Sequence, residues 1–175
     1  MLLMRSILQL IGLGETPVDT RDTESVRRIA AELARLPADV ARYVAAFAYV
    51  LARVAHADWD VSDLEISEMR RIVSGLGELD ETQADLVVEL AKQQTVQLGG
   101  TENYVVTRQF RDLSSKAQRL GLLRCMFAVA AADDSVSHDE ELQISQIATE
   151  LGLTSDEVTA VRVSYRDKLA SLKET

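Results

Sequence analysis

The stretch VAHADWDVSDLEISEMRRIVSGLG, residues 54–77, reads as the end of one helix, a polar corner and a complete second helix. Met69, Ile72 and Leu76 stand at steps of 3 and 4, the spacing of one apolar helix face, and Gly77 ends the run. The pattern returns 75 residues later as VAAADDSVSHDEELQISQIATELG, residues 129–152, aligned without gaps. Ten of the 24 positions are identical: Val54/Val129, Ala55/Ala130, Ala57/Ala132, Asp58/Asp133, Val61/Val136, Ser62/Ser137, Glu65/Glu140, Ile72/Ile147, Leu76/Leu151 and Gly77/Gly152. Low complexity does not produce matches that include charged, hydroxyl and glycine positions. The chain therefore carries a duplicated helical unit, with repeats at residues 38–78 and 115–153.

Working outward, the helix entering each corner has its own apolar stripe: Val44, Phe47, Leu51 and Val54 in the first copy, Leu122, Met126 and Val129 in the second. Asp22 or Thr23 can cap an earlier helix through Val26, Ile29, Ala30 and Leu33, which ends before Pro37. Asp80-Glu81-Thr82-Gln83 has capping-box spacing, and Ser114 or Ser115 caps the long helix of the second copy. Residues 101–113 read as a weaker helix, and another runs from Ser155 onward. Period-2 alternation is nowhere sustained, so no sheet is expected. The reading is one all-α domain over residues 1–175, with seven to eight helices and two helical hairpins related by internal pseudo-twofold symmetry. Phe47, Leu51, Val54, Ile72, Met126, Val129, Ile144 and Ile147 are its expected core. Residues 1–13 form a short amphipathic helix, interrupted by Arg5, Ser6 and Gln9 and too short to span a bilayer; it either packs on the body or docks elsewhere.

Composition narrows the function. The 175 residues are 47% hydrophobic and 27% charged, as in an ordinary globular protein. A net charge of −9 argues against nucleic acid or an anionic membrane as partner. One cysteine, Cys125 on an apolar helix face, excludes an internal disulfide framework and a cysteine-cluster metal site, and fits a reducing cytoplasm. No glycine-rich phosphate loop, nucleophile elbow or triad spacing is present, so an enzyme is not expected.

The corners carry the chemistry. Ser62-Asp63-Leu64-Glu65 and Ser137-His138-Asp139-Glu140 both have capping-box spacing, a structural role. Asp58 and Asp133 each end a helix, where the dipole disfavours an anion, and each continues an apolar stripe. Glu65 and Glu140 start the stripes on the other side of the corner. A partly buried anion requires backbone N–H donors, a basic partner or a cation. The oxygen-only ligand set suits Mg²⁺ or Ca²⁺ rather than Zn²⁺ or copper. An EF-hand does not fit, because Asp63 stands at the glycine position and Met69 at that of the bidentate glutamate. His56 and His138 do not align in the repeat, so no symmetric histidine pair exists.

The segments Ala57-Asp58-Trp59-Asp60-Val61-Ser62-Asp63-Leu64-Glu65 and Ala132-Asp133-Asp134-Ser135-Val136-Ser137-His138-Asp139-Glu140 resemble the repeated signature of the tellurite-resistance TerB-like family. The resemblance covers about residues 38–165 and implies an all-helical fold with twofold pseudosymmetry. It also implies a cytoplasmic, stress-linked, non-catalytic role and an acidic surface for divalent cations. Matched residue by residue, the family's acidic positions fall on Asp58, Glu65, Asp133 and Glu140. The family's glycine is Trp59 in the first copy and Asp134 in the second. Aspartate tolerates a left-handed backbone better than tryptophan, which makes the second corner the better half-site. Trp59 is either a lid on the helices or a contact residue. The expected function is a module that binds Mg²⁺ or Ca²⁺ and docks to protein partners, the alternative being a metal-free interaction scaffold.

Overall fold

The computed structural model describes residues 24–54, 63–93, 100–133 and 135–169. The expected helix at residues 1–13, Trp59 and His56 lie outside them. Among the described residues the fold is all-helical: α1 (Glu24–Arg35), α2 (Ala38–Val54), α3 (Asp63–Leu76), α4 (Glu81–Gln93), α5 (Gly100–Leu113), α6 (Lys116–Ala130), α7 (His138–Glu150) and α8 (Ser155–Val163). Single 3₁₀ turns follow α6 (Ala131–Asp133) and α8 (Arg166–Lys168). An isolated parallel bridge joins Val136 to Leu169, and no sheet forms among these residues. None of the described helices is long and apolar enough to cross a membrane.

Local chemistry sets the helix starts. Asp80 Oδ1 accepts from the Gln83 N–H at 2.8 Å, and Gln83 Oε1 accepts from the Asp80 N–H at 3.3 Å. Ser115 with Gln118, Ser137 with Glu140 and Thr154 with Glu157 make the same reciprocal box on α6, α7 and α8. Each box satisfies two helix-end donors that would otherwise lack intrahelical partners.

The core forms around α2, which packs against α1, α4, α5, α6 and α7. The sequence predicts one buried stripe on this helix, whereas the structure buries every residue from Tyr43 to Leu51. Ala45, Ala46 and Ala48 make that possible, since their small side chains let neighbours approach on the other faces. Phe110 of α5 stacks on Tyr43 at 5.2 Å and meets Phe47 edge-on at 5.8 Å. Seven of the eight expected core residues are buried, and Val129 is only partly so.

Helix α2 packs on α6, α3 on α6, and α7 on α2, so each second helix of a hairpin leans on the first helix of the other copy. The hairpin exits differ. Gly152 takes φ +71°, a left-handed conformation that costs glycine no Cβ clash. In the first copy the left-handed position falls one residue later, on Glu78 at φ 56°. Gly77 is required for space instead, since a Cβ there would lie 2.6 Å from the Val73 carbonyl oxygen. Identical glycines thus do different work.

Candidate functional site

The second corner is built where α6 ends. After the 3₁₀ turn Ala131–Asp133, the chain turns inward at Val136, which is fully buried, and emerges at Ser137 to start α7. The Ser137 Oγ accepts from the Glu140 N–H at 3.2 Å, and Glu140 Oε2 accepts from the Ser137 N–H at 2.7 Å. The capping role expected of Ser137 is therefore present, and Glu140 takes part in it. Asp133 closes the 3₁₀ turn as the spacing requires, but its side chain lies outside the described set. Asp58 also lies outside the described residues. Glu65 sits in the first turn of α3, again with its side chain outside the described set. Among the described residues, no three or more His, Cys, Asp or Glu side chains group so as to hold a metal ion.

Among the described residues of this corner, the buried acid is Glu141, next to the expected Glu140. Its side chain is 8% exposed, and its Oε1 accepts from Arg162 Nε at 2.8 Å and Nη2 at 2.7 Å, tying α7 to α8. The sequence held a signal for it: Glu141, Ile144, Ala148 and Leu151 also run at steps of 3 and 4. Beneath the corner lies residue 131, whose carbonyl oxygen accepts from the Lys168 ammonium at 3.1 Å. A cation at the end of a helical run offsets the partial negative charge of its carbonyls.

A second polar assembly, unforeseen from sequence, joins α2, α5 and α7. Arg53 Nη1 donates to Glu150 Oε2 at 2.7 Å and to Thr107 Oγ1 at 2.5 Å, with the Arg53 and Glu150 side chains 7% and 9% exposed. Thr107 Oγ1 donates to the Asn103 carbonyl at 2.9 Å, and the Tyr49 hydroxyl donates to Asn103 Oδ1 at 2.6 Å. Burial works to raise the Glu150 carboxyl, but the hydrogen bond and charge of Arg53, with help from Gln146 and Thr107, hold it below its ordinary value. Arg53 Nε is buried with no hydrogen-bond partner among the described residues. Sequence separations of 54 and 97 residues leave no local pattern by which to find this network.

Cys125 is buried at the centre, its thiol pushed up to about 12 by that burial, so it behaves as a small apolar side chain. Exposed His138 opens α7. Compared with known proteins, residues 44–163 match the family described as Tellurite resistance protein TerB. No curated protein and no solved structure matches the chain.

Proposed function

The chain belongs to the TerB family of tellurite-resistance proteins, and from that premise we propose that it is a non-enzymatic helical module of a stress response. In this reading it binds Mg²⁺ or Ca²⁺ weakly through its acidic corners and docks to partner proteins. The ligands are Asp58 and Glu65 at the first corner and Asp133 and Glu140 at the second, with waters completing the shell. The supporting observation is the second corner itself. Asp133 ends the run from α6, and a short loop later Asp139, Glu140 and Glu141 crowd the first turn of α7. Hard oxygen donors brought by the sequence to both sides of one corner are the kind that suit a hard cation.

A metal-free scaffold is the second reading, and it has its own support: Glu140 Oε2 is engaged by the Ser137 N–H, and Lys168 supplies positive charge nearby. The two readings separate in one comparison. In Glu140→Gln the amide oxygen can still cap, as Gln118 does on α6 with a 2.8 Å bond from the Ser115 N–H. The charge a cation needs is gone. Under the cation reading, Mg²⁺ or Ca²⁺ raises the melting temperature of the wild type, because a ligand that binds only the folded state stabilises it by mass action. The rise shrinks in Asp133→Asn, Glu140→Gln. If excess cation leaves melting and the amide shifts around all four acids unchanged, the corners are caps and the scaffold reading stands.

A further inference from the structure

Helix α7 buries Ile144, Ile147 and Ala148 on its inner side and leaves a leucine on the other, Leu142, which is 56% exposed. Ser145, Gln146 and Thr149 follow Leu142 at steps of 3, 4 and 7, so they continue its side of the helix, and all three are exposed and uncharged. The outward face of a surface helix is ordinarily polar or charged throughout. Here a leucine opens that face and no charge follows it. Among the described residues, nothing covers Leu142.

The chain's own next segment leaves from beside this face. The Val136 N–H donates to the Lys168 carbonyl at 2.8 Å, and Val136 and Leu169, both buried, form the parallel bridge. Parallel pairing gives the two strands one direction, so the chain leaves Leu169 heading the way Val136 heads into Ser137 and the start of α7. The lengths along the two paths agree. Three extended residues carry residue 172 about 10 Å beyond Leu169. From Val136, one extended step and five helical ones reach Leu142 over about 11 Å. In the segment Ala170-Ser171-Leu172-Lys173-Glu174-Thr175, the large apolar residue stands at that distance.

We infer that residues 170–175 dock back onto the open face of α7, with Leu172 covering Leu142. Tethering selects this occupant over a second copy or a foreign helix. Leu172 is three residues from a point pinned by Leu169, which holds it near Leu142 at an effective concentration in the millimolar range. A separate molecule would have to give up its translational and rotational freedom for the same small apolar contact. The docking needs no cation and holds whether or not the acidic corners bind one.

The test places cysteines on the full chain and leaves Cys125 in position, since its thiol is buried and unreactive. In Leu142→Cys, Leu172→Cys the two thiols should oxidise to an intramolecular disulfide about tenfold faster than in the control pair Leu113→Cys, Leu172→Cys, where Leu113 is an exposed residue at the end of α5. In a second measurement, labelling of Leu142→Cys by a thiol reagent should accelerate about three- to fivefold when Leu172→Asp is added, because thiol reactivity follows exposure. Labelling of Leu113→Cys should not respond to Leu172→Asp. Oxidation no faster than in the control pair, or labelling of Leu142→Cys indifferent to Leu172→Asp, would overturn the docking. Disulfides formed only between molecules would overturn it too, and would assign the face to a second copy.

Discussion

Glu150→Ala should destabilise the protein by about 3–5 kcal/mol, because it strands the Arg53 guanidinium in the interior without its counter-ion. The magnitude follows from the site. At 2.7 Å the Arg53–Glu150 attraction is worth about 6 kcal/mol at an effective dielectric of 20. Desolvating each ion costs several kcal/mol, so the intact pair contributes little net stability against an apolar pair of similar volume. Breaking it is another matter, since among the described residues Arg53 would keep only Thr107 as acceptor and its Nε has no partner. Arg53→Met with Glu150→Met should therefore recover most of the single-variant loss, to within about 1–2 kcal/mol of the wild type. Urea denaturation of the wild type, Arg53→Met, Glu150→Met and the double variant reads the coupling directly. Acid adds a second readout. The folded-state carboxyl lies below its ordinary value of 4.5, so its stabilisation is complete above that value and is lost as pH falls through the folded pKa. Glu150→Gln should flatten that part of the profile. A loss under about 0.5 kcal/mol for Glu150→Ala, or a double variant as unstable as the sum of the singles, would refute the argument.

Two other substitutions probe the packing. Ile147→Ala, at a fully buried position of α7, should cost roughly 2–5 kcal/mol in the same assay. Gly121→Ala places a Cβ 2.8 Å from the Leu76 carbonyl oxygen, where α6 meets the end of α3, and should cost about 1–3 kcal/mol through forced separation of the helices. Gly152→Ala meets nothing nearer than 3.5 Å, so its penalty should be only the left-handed backbone term of about 1–2 kcal/mol, and calorimetric melting of both variants checks the order.

Much of the architecture is legible in the residue string because helices are made by contacts three and four residues apart. Ser137 and Glu140 announce their capping box by spacing alone, and Asp80 with Gln83 does the same. Stripe periodicity found Ile144 and Ile147, and it could have found Glu141. It misjudged α2, because periodicity reports a helix's most apolar face and is blind to how many neighbours surround it. Val129 is the converse, an apolar position on the expected stripe that packing left partly open.

The described helices, the caps at Asp80, Ser115 and Ser137 and the family were thus available from the chain alone, since each rests on local spacing or on similarity between segments. The fold alone supplied the Arg53–Glu150–Thr107 network, the Lys168–Ala131 contact and the need for Gly121. Each of these joins residues tens of positions apart whose meeting depends on helix crossing and close approach. The paired glycines show the boundary between the two kinds of information. Gly77 and Gly152 are equivalent in the repeat, yet one is needed for room beside Val73 and the other for its left-handed φ. Residue identity can be duplicated along a chain, but the surroundings that give a residue its role are set by packing.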